Sequence, residues 1–218
     1  MRKLLWAGLC GCFLASGCAT GSGVPDLATN SDLYQQVGFV TKLPGDRSVF
    51  VAPVADERRA DALPASVSGF PIMYDSDARW SRAVPIMIDD LLRREIETSG
   101  LFAAMATQAK DADLVLQPSL QTFAMAQMEM PTGGRALAEA HLRIRVWGPA
   151  VDGQRPLLHD EIYGDSQATK VQMRTISRHL LAGRATQIAM MRVLQGLDGA
   201  NVGRSGMPAV PLPTPPTK

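Results

Sequence analysis

Three groups of residues in this 218-residue chain have the types and spacing to do chemistry. Cys18 ends the run Leu14, Ala15, Ser16, Gly17 with a thiol placed directly after small residues, where it can be structural, reactive or a point of covalent attachment. His141 and His159, with Glu139 and Glu161, form the second group. If a hairpin pairs Leu142 with Leu158, His141 stands opposite His159 and Glu139 opposite Glu161, which brings together ligand types that zinc accepts. Flat cross-strand pairs do not converge as ligands on a curved scaffold do, and a solvated sheet face produces the same alternation, so no metal is expected there. The third group is the charged run Asp56, Glu57, Arg58, Arg59, able to hold a partner through ion pairs or simply to solvate a loop after a strand.

Other reactive types lack a setting. Ser66 and Ser68 fall in a long connection with no base to assign to them, and a serine nucleophile needs one. His179 is expected at a surface or boundary position. No G-x-S-x-G, H-E-x-x-H or phosphate-loop arrangement occurs. No cofactor is called for. Trp80 and Trp147 are the aromatic positions expected to mark an exposed patch, with Trp80 joining the charged run as a candidate partner contact. Met125, Met128 and Met130 belong either to an ordinary core or to a groove that accepts an apolar ligand such as a lipid chain.

The surroundings of Cys18 decide among its roles. Arg2 and Lys3 precede an apolar stretch from Leu4 to Ala15, too short to span a bilayer as a helix, which is the form of an export signal. Its end resembles the lipobox of bacterial lipoprotein signal peptides, with Leu14 to Gly17 leading into the cysteine that is acylated and becomes the mature N-terminus. The resemblance implies anchoring through acylated Cys18, and Ala19, rather than aspartate, implies the outer membrane, facing the periplasm. Two or three acyl chains meet the requirement for stable anchoring. The three cysteines are Cys10, Cys12 and Cys18, so cleavage before Cys18 leaves no pair for a disulfide. Cleavage also removes two bases and no acid, leaving 20 basic against 21 acidic residues, a balance that does not point to nucleic acid.

The positioning elements follow from periodicity. Residues 18–32 are rich in Gly, Ser and Thr and read as a flexible tether after the 1–17 signal. Residues 198–218 end in a proline-rich stretch expected to be disordered. Between them, 33–197 is long enough for one core. Ser48 to Val54 reads as a strand, while Asp56 to Arg79 shows neither period and is a long loop. Val84 to Gly100 is the clearest helix, with Val84, Ile88, Leu91, Leu92 and Ile96 on one face. Ser81 is its candidate cap, and Asp89 to Arg93 and Asp90 to Arg94 have the favourable spacing. An extended segment, Ala112 to Met130, is interrupted at Pro118. Ala138 to Val146 alternates plainly and pairs with the strand through Leu158 and Ile162, and a last helix runs from about Thr169 to Leu197 with a break marked by Gly183 or with both faces covered. The order strand, helix, strands, helix predicts an α+β fold: a mostly antiparallel sheet with helices packed on one face.

Val49 to Arg58, Arg79 to Met105 and Ala112 to Phe123 carry a wider resemblance. A first strand ending near a proline, a tryptophan ahead of a helix, the stop Ser99-Gly100-Leu101-Phe102 and a strand opening on Ala112-Asp113 are similar to a broad class of bacterial envelope lipoproteins. The class includes auxiliary lipoproteins of ABC-type transport systems and of intermembrane lipid-transport complexes. The resemblance implies a non-catalytic periplasmic domain that docks onto another envelope protein and has a lipid as a possible ligand. A role in envelope or surface-appendage assembly and a lipid-anchored hydrolase are the alternatives.

Overall fold

The computed structural model describes residues 24–170 and 178–206; Cys18, the 1–17 signal and residues 207–218 lie outside them. The fold is α+β, with a mixed, largely antiparallel sheet. Its strands are β1 (Ser48–Val51), β2 (Ala55–Asp56), β3 (Ser66–Val67), β4 (Phe70–Tyr74), β5 (Ala104–Met105), β6 (Leu114–Met128), β7 (Arg135–Trp147) and β8 (Leu157–Lys170). Helix α1 (Val84–Ser99) falls between β4 and β5, and α2 (Arg178–Gly199) follows β8.

The longest strand, β6, organises the sheet. One edge of β6 pairs antiparallel with β7 from Val115↔Trp147 to Met128↔Arg135. Its other edge carries β1 and β2 in parallel and, further along, β4 antiparallel. Pro118 does not interrupt the strand, which pairs there at Pro118↔Ile144; the irregularity sits instead between Leu120 and Thr122.

Strand β7 shows why the sheet has two unlike faces. Ala136, Ala138, Ala140, Leu142, Ile144 and Val146 are buried, and the residues between them remain half-exposed. The buried row belongs to one apolar cluster with Val49 and Val51 of β1, Leu116 and Leu120 of β6, and both helices. Helix α1 contributes Val84, Ile88, Leu91, Leu92 and Ile96, the face its periodicity predicts, and stops at Gly100, whose φ of 70° suits a residue without Cβ.

Several local expectations are corrected. Ser81 does not cap α1; its hydroxyl donates to Asp26 at 2.9 Å, and Ala83 holds the cap position. Arg93 pairs with Asp89 at 2.7 Å as expected, but Asp90 is taken by Arg82, and Arg94 turns to the carbonyl of Ala28. Thr169 belongs to β8 rather than to the last helix, residues 171–177 lie outside the described residues, and within the described α2 Gly183 does not break the helix. A Cβ at Gly183 would lie 1.8 Å from the Leu33 carbonyl oxygen, so the glycine allows the 33–37 segment to cross the helix. The weak periodicity of α2 reflects cover on two sides, by the sheet and by that segment.

Residues 24–32 and 198–206, expected to belong to the tether and the tail, are built into the fold. Leu27 is fully buried in the core, and Asp26 forms ion-paired hydrogen bonds with Arg82. Tyr34 donates to the buried carboxylate of Glu95 at 2.9 Å. At the other end Val202 is buried, and Ser205 N–H donates to Asp46 at 2.7 Å. Few apolar residues suffice here because the core offers each a prepared socket.

Candidate functional site

Strand β2 leaves β6 after Asp56↔Leu120, and β4 joins the same edge only at Tyr74↔Ala126. The Glu57 N–H to Leu120 carbonyl bond (3.0 Å) and the Asp75 N–H to Met125 carbonyl bond (2.7 Å) close the two ends of the interval. Among the described residues no strand lies along β6 between them. The gap opens as a cleft of about 510 Å³, with Asp56, Arg58 and Arg59 on one wall, Tyr74, Asp75 and Asp77 on the other, and Thr122, Phe123 and Ala124 as floor. The 56–79 segment is therefore not a structureless loop. It contributes β2, β3, β4 and two short 3-10 turns, at Ala60–Ala62 and Asp77–Arg79.

Arg58 bridges the two walls. Its guanidinium grips Asp56 with two hydrogen bonds, of 2.8 and 2.7 Å, and reaches Asp77 at 2.8 Å. A bidentate charged pair of this kind fixes direction as well as distance. The Arg58 hydrogen bond lowers the Asp56 pKa below its ordinary value, outweighing the opposing effect of burial. Asp75 joins the cleft to α2: its carboxylate is 7 % exposed and meets Arg178 at 2.9 Å and Arg79 at 3.5 Å. Arg59, by contrast, leaves 74 % of its side chain exposed and pairs with the similarly open Asp61. The cleft thus has a doubly paired cation inside, an exposed one at its lip, and a mixed floor of Thr122, Phe123 and Ala124.

Two sequence candidates lie elsewhere. Glu57 turns to the helix-free face of the sheet, where it accepts hydrogen bonds from Gln121 at 2.7 Å and Ser119 at 3.0 Å; the Gln121 bond is the main cause of its lowered pKa. Trp80 is 5 % exposed and so is not a surface contact. Its ring packs edge-on against Phe123 at 5.8 Å and His179 at 4.6 Å, filling the space between the start of α1, β6 and the start of α2. A tryptophan flanked by charge in sequence looks exposed, but its neighbours in space are the rings of Phe123 and His179, which bury it.

The candidate zinc ligands do not meet. Leu142 pairs with Tyr163, not Leu158, so His141 faces Gly164, His159 faces Val146, Glu139 faces Ser166 and Glu161 faces Ile144. The shift from Leu158 to Tyr163 is five positions, and an odd shift exchanges the faces of a strand. Two features fix the observed register. Arg155 closes the preceding loop by donating to the carbonyls of Gly148, Ala109 and Ala112, which delays the start of β8. The His141 ring lies over Gly164, where a Cβ would come within 1.7 Å of it. Among the described residues no group of three or more His, Cys, Asp or Glu is placed to hold a metal ion.

The new register creates a contact that the sequence reading missed. His159 is 5 % exposed, and its Nε2 lies 2.8 Å from the Tyr163 hydroxyl, which donates to Glu161 at 2.7 Å. With the hydroxyl proton committed to Glu161, the imidazole Nε2–H is the donor to the tyrosine oxygen. Burial is the main influence on His159 and lowers its pKa, against the opposing pull of Glu161 and Asp160. The alternation of these three residues was visible, but with the opposite face assigned to the core.

No family model and no curated protein sequence matches the chain. Among solved structures it is similar to the hypothetical protein CT253 from Chlamydia trachomatis, at 12 % identity and a TM-score of 0.47, over 73 % of this chain and 98 % of that one. Fold and cleft together define the class in hand: an α+β domain with a mixed sheet and a charged opening at its edge.

Proposed function

We propose that the chain is a lipid-anchored binding subunit of a bacterial envelope transport complex, attached through acylated Cys18 to the outer membrane and facing the periplasm. The observation that carries the docking part is the cleft itself, where Asp56, Arg58 and Arg59 form one wall of the gap in the sheet. Arg58 holds the walls at a set separation through Asp56 and Asp77, and Arg59 is left at the lip to pair with a partner's carboxylate. Backbone edge groups of β6 within the gap add a surface that an extended partner segment can follow. The address rests on the junction at Cys18 and its resemblance to a lipobox.

Affinity purification of the acylated protein after in-cell crosslinking tests the reading, with Arg59→Glu as the cleft variant. Recovery of an identified permease or lipid-transport protein with the native chain, and its loss with Arg59→Glu, is the expected result. Recovery of envelope-assembly proteins instead, unaffected by Arg59→Glu, sinks the transport assignment. Arg59 is suited to this because its pair with Asp61 is open to solvent and screened, so its loss disturbs folding little.

A further inference from the structure

One end of the fold gathers β4, the first turn of α1, the first residue of α2 and the start of the described chain. Asp75, at the end of β4, pairs with Arg178 at 2.9 Å. The Ser81 N–H donates to the Pro25 carbonyl at 2.9 Å, which holds residue 25 beside the entrance to α1. The other end carries Gly100, β5 and the 148–156 loop.

At the first end the β3–β4 hairpin extends past the last residue of β6. Its strands pair at Ser66↔Pro71 and Val67↔Phe70, while β4 meets β6 only from Ile72↔Met128 onward. Ser68 and Gly69 make the tight turn with φ of 51° and 81°. From Leu63 to Tyr74 no residue is charged. Val67 is 45 % exposed and Met73 52 %, and Val24 and Ile86 at the same end are also exposed. A short hairpin that shows water its apolar side chains and no charge is suited to a less polar neighbour.

The length of chain before Val24 indicates which neighbour. On the reading that Cys18 is acylated, six residue steps separate the anchor from Val24, a reach of at most roughly 20 Å when fully extended. Residue 25 is fixed beside the entrance to α1, on the side of the fold from which β4 and its hairpin extend, so the anchor keeps that side toward the bilayer. We infer that the β3–β4 hairpin is a second membrane contact, resting Val67, Phe70 and Met73 in the interfacial layer of the bilayer that holds the acyl chains. This orientation places the cleft wall that includes Tyr74 close to the lipid surface, with the 148–156 loop facing away.

The test uses the mature acylated chain, in which Cys18 offers no free thiol, carrying Ser68→Cys labelled with an environment-sensitive fluorophore. Vesicles of phosphatidylethanolamine and phosphatidylglycerol containing spin-labelled lipid receive the protein, and Val151→Cys at the far end is the comparison. A blue shift and quenching at position 68 but not at 151, abolished by Val67→Asp with Met73→Asp, is the expected result. Equal emission at both positions overturns the inference, as does a blue shift at 68 that needs no vesicles, which signals contact with a second copy. The chain from Ala19, held through an N-terminal histidine tag on a chelating lipid, separates this from the anchor reading. Quenching at 68 there, alongside an unmodified Cys18 mass in the native protein, refutes acylation and keeps the hairpin contact; its loss there with an acylated Cys18 refutes the hairpin contact alone.

Discussion

Leu27→Ala separates a packed N-terminal segment from a flexible one more sharply than any other single change. In a tether the substitution has no structural consequence. In the structure Leu27 is fully buried against the core, with its N–H 3.4 Å from the Met87 sulfur of α1, and removal of the side chain leaves a cavity beside that helix. Leucine-to-alanine changes at such sites cost about 2 to 5 kcal/mol. Because neighbouring Asp26 is separately held by Arg82, the segment has limited freedom to collapse into the space, which favours the upper part of that range. For a domain of this size each kcal/mol moves the thermal midpoint by roughly 2 to 4 °C. Urea unfolding of the chain from Ala19, followed by far-ultraviolet circular dichroism, reads the loss directly. The midpoint must fall while the slope stays constant, since the surface exposed on unfolding is nearly unchanged. A loss below about 0.5 kcal/mol, the size of an ordinary surface substitution, refutes the packed segment.

Other expectations follow from the same geometry. Gly183→Ala drives a Cβ into the Leu33 carbonyl and is expected to destabilise the domain despite the better helix propensity of alanine; a raised unfolding midpoint contradicts the crossing. With Trp147→Phe, the mature chain retains Trp80 alone, and its emission is expected to be blue-shifted and poorly quenched by acrylamide until the domain unfolds, whereas free quenching in the native state contradicts its burial. Arg82 is the main cause of an Asp26 pKa lowered to about 2. A depressed carboxylate contributes stability above its unfolded pKa and loses it as pH falls through the folded value, so Asp26→Asn is expected to flatten the stability profile between about pH 4 and pH 2. An unchanged acid limb, measured by urea midpoints, argues against the pair. His159 works in the same direction at higher pH: burial lowers its folded pKa, so the unfolded chain takes the proton first and stability declines as pH drops below about 6.5. His159→Gln is expected to reduce that decline, and a profile identical to the native one contradicts the buried neutral imidazole.

Where the sequence carried a strong period, it was legible. The α1 stripe and the alternation of β7 needed no knowledge of their partners, because each element is half buried and its pattern records which half. Register was harder to read. Strand β8 alternates as clearly as β7, but its phase depends on Arg155 closing the loop and on Gly164 under His141, neither of which alters the alternation. That phase carried the whole zinc candidate with it, and concealed the His159, Tyr163 and Glu161 chain. The cleft was half legible: Asp56 to Arg59 stood out by charge, but the gap arises from where β2 leaves β6 and β4 joins it, a long-range property. Trp80 shows the reverse case, a local setting of charge around a side chain whose contacts come from remote positions.

Site-specific photocrosslinking in cells reads out docking at the cleft, with the photoreactive residue at position 59 and a second version carrying it at position 151, each in the native and Cys18→Ala backgrounds. A partner docked in the cleft gives one discrete adduct from position 59, identified by mass spectrometry as an envelope transport component, absent from position 151 and lost when Cys18→Ala removes the anchor. The same adducts from both positions, or an adduct from position 59 that survives loss of the anchor, contradicts that docking.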